Sequence, residues 1–193
     1  MARKQKKLNR RRRVVKTALL VVGEGPDDRA FIQHMSREFR HESLNIRATI
    51  KNESGGSPGN IITNATRKYQ SDEYDWRYIV LDSDLPVDAA SKKKAEKNGY
   101  RLIFWCPQCL EGTLLDILGE NIRPGESSQE LKARLHPRLA GKHTEPESYA
   151  QLFPKKVLVN AQNASIQTIH GILTGQPHGD RPQGTGTEQH DLF

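Results

Sequence analysis

The sequence predicts an α/β fold: a mostly parallel sheet flanked by helices, with a helical C-terminal extension. Three observations carry this. Short aliphatic and β-branched runs alternate with segments of helical spacing, strand then helix, four times along the chain. Two runs, Leu19-Leu20-Val21-Val22 and Tyr78-Ile79-Val80-Leu81, are apolar throughout, as strands buried on both faces are. Each leads into acids, Gly23-Glu24-Gly25-Pro26-Asp27-Asp28 and Asp82-Ser83-Asp84. That is the carboxyl edge of the strands, where open α/β sheets bind ligands.

The elements follow in order. Residues 1–13 read as a disordered basic arm, and the first strand spans 16–22. Pro26 opens a helix over 27–40, with Asp27 and Asp28 in the first turn, where the helix dipole favours acids. Ala30, Phe31, His34, Met35 and Phe39 give that helix one apolar face, read as core packing. Residues 44–50 alternate as a second strand, and the Gly/Ser/Pro-rich stretch 53–59 is a loop before a helix over 60–69. A third strand over 77–81 precedes a short basic helix over 87–98 with Lys92, Lys93, Lys94 and Lys97. A fourth strand covers 101–105, and Leu110, Leu114, Leu115 and Leu118 share a face of a helix over 110–118. The catalytic core is expected over 14–120. A helical extension broken at Pro124, Pro137, Pro146 and Pro154 packs on it over 121–173. From 174 to 193, Gly, Pro, Gln and Thr dominate and predict a disordered tail.

Composition narrows the function classes. The chain has 193 residues, 35% of them hydrophobic, a length that suits one domain with tails. It holds no apolar run of membrane-spanning length, and the apolar stretch after the basic start is interrupted by Lys16. A cytoplasmic protein with no membrane association is expected. The formal charge of +7 is concentrated. Arg3, Lys4, Lys6, Lys7, Arg10, Arg11, Arg12, Arg13 and Lys16 are nine of the 30 bases; the other 21 face 23 acids, a net of −2. Such an arm suits contact with a phosphate backbone, and Arg10, Arg11, Arg12 and Arg13 are the candidate nucleic-acid contacts. The two cysteines, Cys106 and Cys109, form half of a four-ligand zinc site. The nearest histidines, His136 and His143, are spaced more widely than a zinc finger allows. Reduced thiols are the expected state.

The acids carry the chemistry. Gly23 and Gly25 flank Glu24, let the backbone turn sharply and let a ligand approach it. The third glycine of a dinucleotide fingerprint is replaced by Asp28, which would repel a pyrophosphate. Asp82 and Asp84, two residues apart on an extended segment, point the same way and can face one ion. Carboxylates this close need a cation, and oxygen-only ligands suit Mg2+ or Mn2+ better than zinc. Such an ion would polarise a phosphodiester. Glu24 is a further metal ligand, or a general base or acid. A haloacid-dehalogenase reading of Asp82-Ser83-Asp84 requires a threonine where Pro86 stands.

These segments resemble the Toprim (Rossmann-like) catalytic domain of topoisomerases, bacterial primases and OLD-family nucleases. More narrowly, they are similar to the RloB-like, OLD-related proteins of prokaryotic defence. The matching residues are Glu24 in its Gly-Glu-Gly turn, Asp82-Ser83-Asp84, and Asp28 four residues after Glu24. Residues 57–62 resemble the group's helix-opening segment. Residues 106–115, Cys-Pro-Gln-Cys-Leu-Glu-Gly-Thr-Leu-Leu, resemble its Asn-Pro-x-Phe-Glu-x-Trp-x-Leu-like segment. Cys106, Leu110 and Thr113 depart from that pattern; Glu111 keeps its acid. The resemblance implies a Mg2+- or Mn2+-dependent nuclease acting on DNA or RNA in defence against phage or foreign DNA. Glu24, Asp82 and Asp84 would be catalytic, and Glu24, Asp28, Asp82, Asp84 and Glu111 would be the metal set. It also implies a separate ATPase partner, since this chain has no phosphate-binding loop of its own. A homo-oligomer is left open. Two alternatives remain: a catalytically silent nucleic-acid-binding or partner-sensing module, and a housekeeping RNA-processing enzyme.

Overall fold

The structure, a computed structural model, describes residues 16–176 apart from 44, 55 and 70–72. The basic arm with Arg10, Arg11, Arg12 and Arg13, and the tail from 177, lie outside the described residues.

Among the described residues four strands form one all-parallel sheet in the order β2-β1-β3-β4. They are β1 (Thr17–Gly23), β2 (Ile46–Asn52), β3 (Trp76–Asp82) and β4 (Tyr100–Trp105). Helices α1 (Pro26–Glu38), α2 (Pro58–Lys68) and α3 (Ala89–Lys97) connect them in turn. The chain continues through α4 (Leu110–Ile117), α5 (Ser128–Leu135), α6 (Lys155–Asn160) and α7 (Ala164–Thr174), with 3-10 turns at His136–Arg138 and Pro146–Tyr149. The expected alternation is therefore observed, with every strand parallel. Helix α7 runs through Thr174, one residue into the stretch read as tail, and ends at Gly175 in the left-handed conformation (φ 81°) that a helix-terminating glycine adopts.

Strand periodicity of two divides the interior into two cores. Leu19, Val21, Tyr78, Val80, Ile103 and Trp105 face a large core completed by Phe31 and Met35 of α1 and its C-cap Phe39, Leu114 and Leu115 of α4, and Ile166 and Ile169 of α7. Leu20, Val22, Ile79, Leu81 and Tyr100 face a smaller core under Ile61, Ile62 and Ala65 of α2 and Ala95 of α3. The extension covers the first face: α7 packs on β2 and β4, and α5 on α4. No helix among the described residues is long and apolar enough to cross a membrane.

This winding fixes where a site can lie. From β1 the chain passes by α1 to β2 on one side; from β2 it passes by α2 to β3 on the other side of β1. Helix α1 covers one face of the sheet and α2 the opposite face. The carboxyl ends of β1 and β3 therefore flank the point where the winding reverses, the crevice in which open α/β sheets hold ligands.

Candidate metal and active site

Glu24 leaves β1 and Asp82 ends β3, on either side of this crevice. The backbone N–H of Asp82 donates to Glu24 Oε2 at 3.2 Å, joining the two acidic signatures. Gly23 is required by close packing and not by a tight turn: a Cβ there would stand 2.5 Å from the Asp28 Cβ. That approach seats Asp28, in the first turn of α1, directly beneath the end of β1. Asp28 is 6% exposed. Its Oδ2 accepts the Gly25 N–H at 2.7 Å, the side-chain-to-backbone half of a capping box, and its Oδ1 accepts the Trp105 indole N–H at 2.5 Å.

Glu111 enters from α4. This helix starts hard against the Cys106-Pro107 turn, where a Cβ on Gly112 would meet the Pro107 carbonyl at 2.4 Å. Glu111, 3% exposed, is thereby held at the sheet edge in the first turn of α4. The same loop positions Asp84. Gln108, in the left-handed region at φ 65°, offers its carbonyl to the Ser83 and Asp84 N–H groups at 2.7 and 3.2 Å. Asp84 is exposed and accepts from Ser128 Oγ at 3.2 Å. Asp82 is thus partly buried within the cluster, whereas Asp84 stands exposed at its rim.

The electrostatics show that the acids share one field. Burial pushes the Asp82 carboxyl up to about 8, with further increases from Asp28, Glu24, Glu111 and Asp84. Burial pushes Asp28 up to about 7 despite its hydrogen bonds from Trp105 and Gly25; Glu111 and Glu24 add to the rise. Glu24 is raised chiefly by burial, partly offset by the Asp82 N–H. Glu111 is the exception: burial would raise it, but the hydrogen bond with His136 and the charge of Lys132 leave it below its ordinary value.

Three further groups lie at this edge: Lys132, for which the sequence carries no signal, and the two histidines that spacing alone sets aside as partners of the cysteines. Lys132, half-buried on α5, is held protonated against its own burial by Glu111, Asp27 and Asp82. One turn on, His136 Nε2 lies 3.0 Å from Glu111 Oε1, and His143 Nδ1 lies 2.6 Å from Asp27 Oδ1. The two histidines thus turn to carboxylates and not to the cysteines. Cys106 and Cys109 are free thiols, the first exposed and the second buried at the N-cap of α4. Only contact between α1, α4 and α5 assembles Asp27, Glu111 and His136, and no local spacing announces it.

The carboxylates are electrostatically coupled, although among the described residues no three of them bring oxygens within 4.8 Å of one another. Their mutual repulsion raises pKa values at groups that already lie against water-poor walls, and a bound cation would relieve it. Asp28 already accepts a hydrogen bond at each oxygen, while Glu24 accepts one from the Asp82 N–H and Asp84 one from Ser128 Oγ. The chain matches no protein-family model, no curated protein and no solved structure. What the fold and geometry define is a doubly wound α/β domain with an acidic cluster at its switch point.

Proposed function

We propose that this chain is a Mg2+- or Mn2+-dependent nuclease that hydrolyses phosphodiester bonds. The observation that supports the reading best is the convergence of Glu24, Asp28, Asp82, Asp84 and Glu111, from three strand–helix junctions, on the switch-point crevice with their carboxyl groups electrostatically coupled. The resemblance of the Gly-Glu-Gly and Asp-Ser-Asp segments to Toprim nucleases points the same way.

Asp82 and Asp84 would hold the cation, with Glu24 beside them. The cation would supply charge stabilisation to the attacked phosphate. Glu24, its pKa raised mainly by burial, is the group placed to take a proton from the attacking water. The Lys132 ammonium faces the same acids and would neutralise charge that develops on the phosphate oxygens. Asp28 would fix the β1–α1 turn that carries Glu24. The basic arm would add salt-sensitive affinity for the nucleic-acid backbone.

The test is divalent-ion-dependent cleavage of labelled plasmid, single-stranded DNA and total tRNA, with wild type beside Asp82→Ala/Asp84→Ala. Metal-dependent cutting that the variant loses supports the nuclease, and the polymer cut identifies the substrate. Binding without cutting by both proteins, unchanged by the substitutions, assigns the silent-module reading instead.

A further inference from the structure

We propose that Asp27, His136 and His143 form a binding site for a divalent transition-metal ion of the zinc or cobalt type. The site is distinct in chemistry from the all-oxygen set at Glu24, Asp82 and Asp84, and the inference does not rest on the nuclease reading.

The geometry carries it. One ligand atom from each of Asp27, His136 and His143 lies within 4.8 Å of the other two. Asp27 Oδ1 is 2.6 Å from His143 Nδ1, and Asp27 Oδ2 is 3.9 Å from His136 Nε2. Glu111 Oε1 stands 3.0 Å from that same Nε2. Four ligands at zinc bond lengths in a tetrahedron are about 3.3 Å from one another. The two Asp27 separations bracket that value, and rotation of a histidine side chain would seat an ion. The imidazole rings stack, 6° apart in plane with centroids at 4.3 Å, so one ring must turn for both nitrogens to point in-plane at a single ion.

The ligands are also held. Asp27 sits in the first turn of α1, and Glu111, which pairs with His136, in that of α4. His136 caps the C-terminus of α5, and the His143 carbonyl accepts the hydroxyl of Tyr149, a residue 1% exposed, at 2.6 Å. Fixing ligands through a supporting layer of this kind is how proteins orient metal-binding histidines. Two nitrogens and one carboxylate oxygen, with a position left for water, suit Zn2+, Co2+, Fe2+ or Mn2+, whereas Mg2+ and Ca2+ take oxygen. Lys132 also faces Glu111 and Asp27, whose charges hold it protonated.

The experiment uses the full chain, stripped with chelator and titrated with Co2+ while visible d–d absorption is followed, then challenged with Zn2+ and with excess Mg2+. The expected result is one equivalent of Co2+ in a tetrahedral-type spectrum, displaced by Zn2+ and not by Mg2+. His136→Ala and His143→Ala should each weaken it by about tenfold or more. Asp82→Ala/Asp84→Ala should leave the spectrum intact. A wild-type chain with native circular dichroism and no spectral change overturns the site and leaves two histidine–carboxylate pairs. Binding that survives the double histidine variant, or vanishes only with Asp82 and Asp84, overturns it too. The readout is independent of cleavage, so an inactive protein with an intact cobalt spectrum separates this inference from the proposed function.

Discussion

The N–H of Asp82 donates to the Glu24 carboxylate across the gap between β3 and β1, at the one place where the winding of the sheet changes direction. This bond makes the two acidic signatures a single unit: displacement of either strand end moves both carboxylates. It also explains why burial does not raise Glu24 further, since the N–H favours its charged form.

Glu24→Gln separates two roles for this residue. Glutamine keeps an oxygen for the Asp82 N–H but can neither take a proton nor offer a charged ligand. Cleavage is expected to fall by about a hundredfold or more, while nucleic-acid affinity and thermal stability stay close to wild type. The check is a pH–rate profile at saturating Mn2+. Loss of the acidic limb in the variant identifies Glu24 as the base, and an unshifted profile makes it a ligand only.

Asp28 is the structural counterpart. Asp28→Ala would leave the Trp105 indole N–H and the Gly25 N–H without acceptors in a buried place. A loss of about 2 kcal/mol or more is expected by urea denaturation. Trp105→Phe removes one of those donors, so the double variant should be more stable than the sum of the singles by about 1 kcal/mol. Strict additivity would show that the bond contributes nothing.

Much of this fold was legible because its signals are local. Leu19 to Val22 and Tyr78 to Leu81 are apolar on both faces, and only a central strand of a parallel sheet buries them so. Pro26 with Asp27 and Asp28, and Ser57 with Pro58, mark helix starts within a residue or two of those observed. Glu24 and Asp82 were legible for the same reason, as acids at strand ends. The Lys132, His136 and His143 cluster was not: His136 and His143 lie on a 3-10 turn and a loop, and reach Glu111 and Asp27 across 25 and 116 residues of chain. The role of Gly23 was misjudged for a related reason. Its need for a missing side chain comes from Asp28 packing against it and not from its own φ.

Gly23→Ala therefore tests the packing of the turn. The added methyl would lie 2.5 Å from the Asp28 Cβ, and neither backbone can yield without moving the start of α1. Destabilisation of about 1–3 kcal/mol is expected, with reduced activity from a displaced Glu24. Gly119→Ala, in open space but at φ 80°, provides a control whose cost is conformational and whose activity should be unaffected.

The basic arm gives a prediction that needs no coordinates. Residues 1–13 hold eight bases and no acid, so their deletion should flatten the dependence of nucleic-acid affinity on salt. Filter binding across a salt series would measure the slope, and an unchanged slope removes Arg10, Arg11, Arg12 and Arg13 from the interface.

The pH dependence follows from the raised carboxyls. Burial pushes the Asp82 carboxyl up to about 8 and that of Asp28 up to about 7, well above the ordinary aspartate value of about 4. Between those limits the native chain keeps protons that the unfolded chain has lost, so their contribution to stability is present at low pH and declines as pH rises toward 8. A divalent cation competes with those same protons. The stabilisation gained from added Mn2+ should therefore be small at pH 6 and grow through pH 8, read as the shift in Tm with and without metal. Asp82→Asn removes the most strongly raised carboxyl and should flatten that growth. A metal-induced shift that is equal at both pH values, or larger at pH 6, would mean that the cation binds away from Asp82 and Asp28.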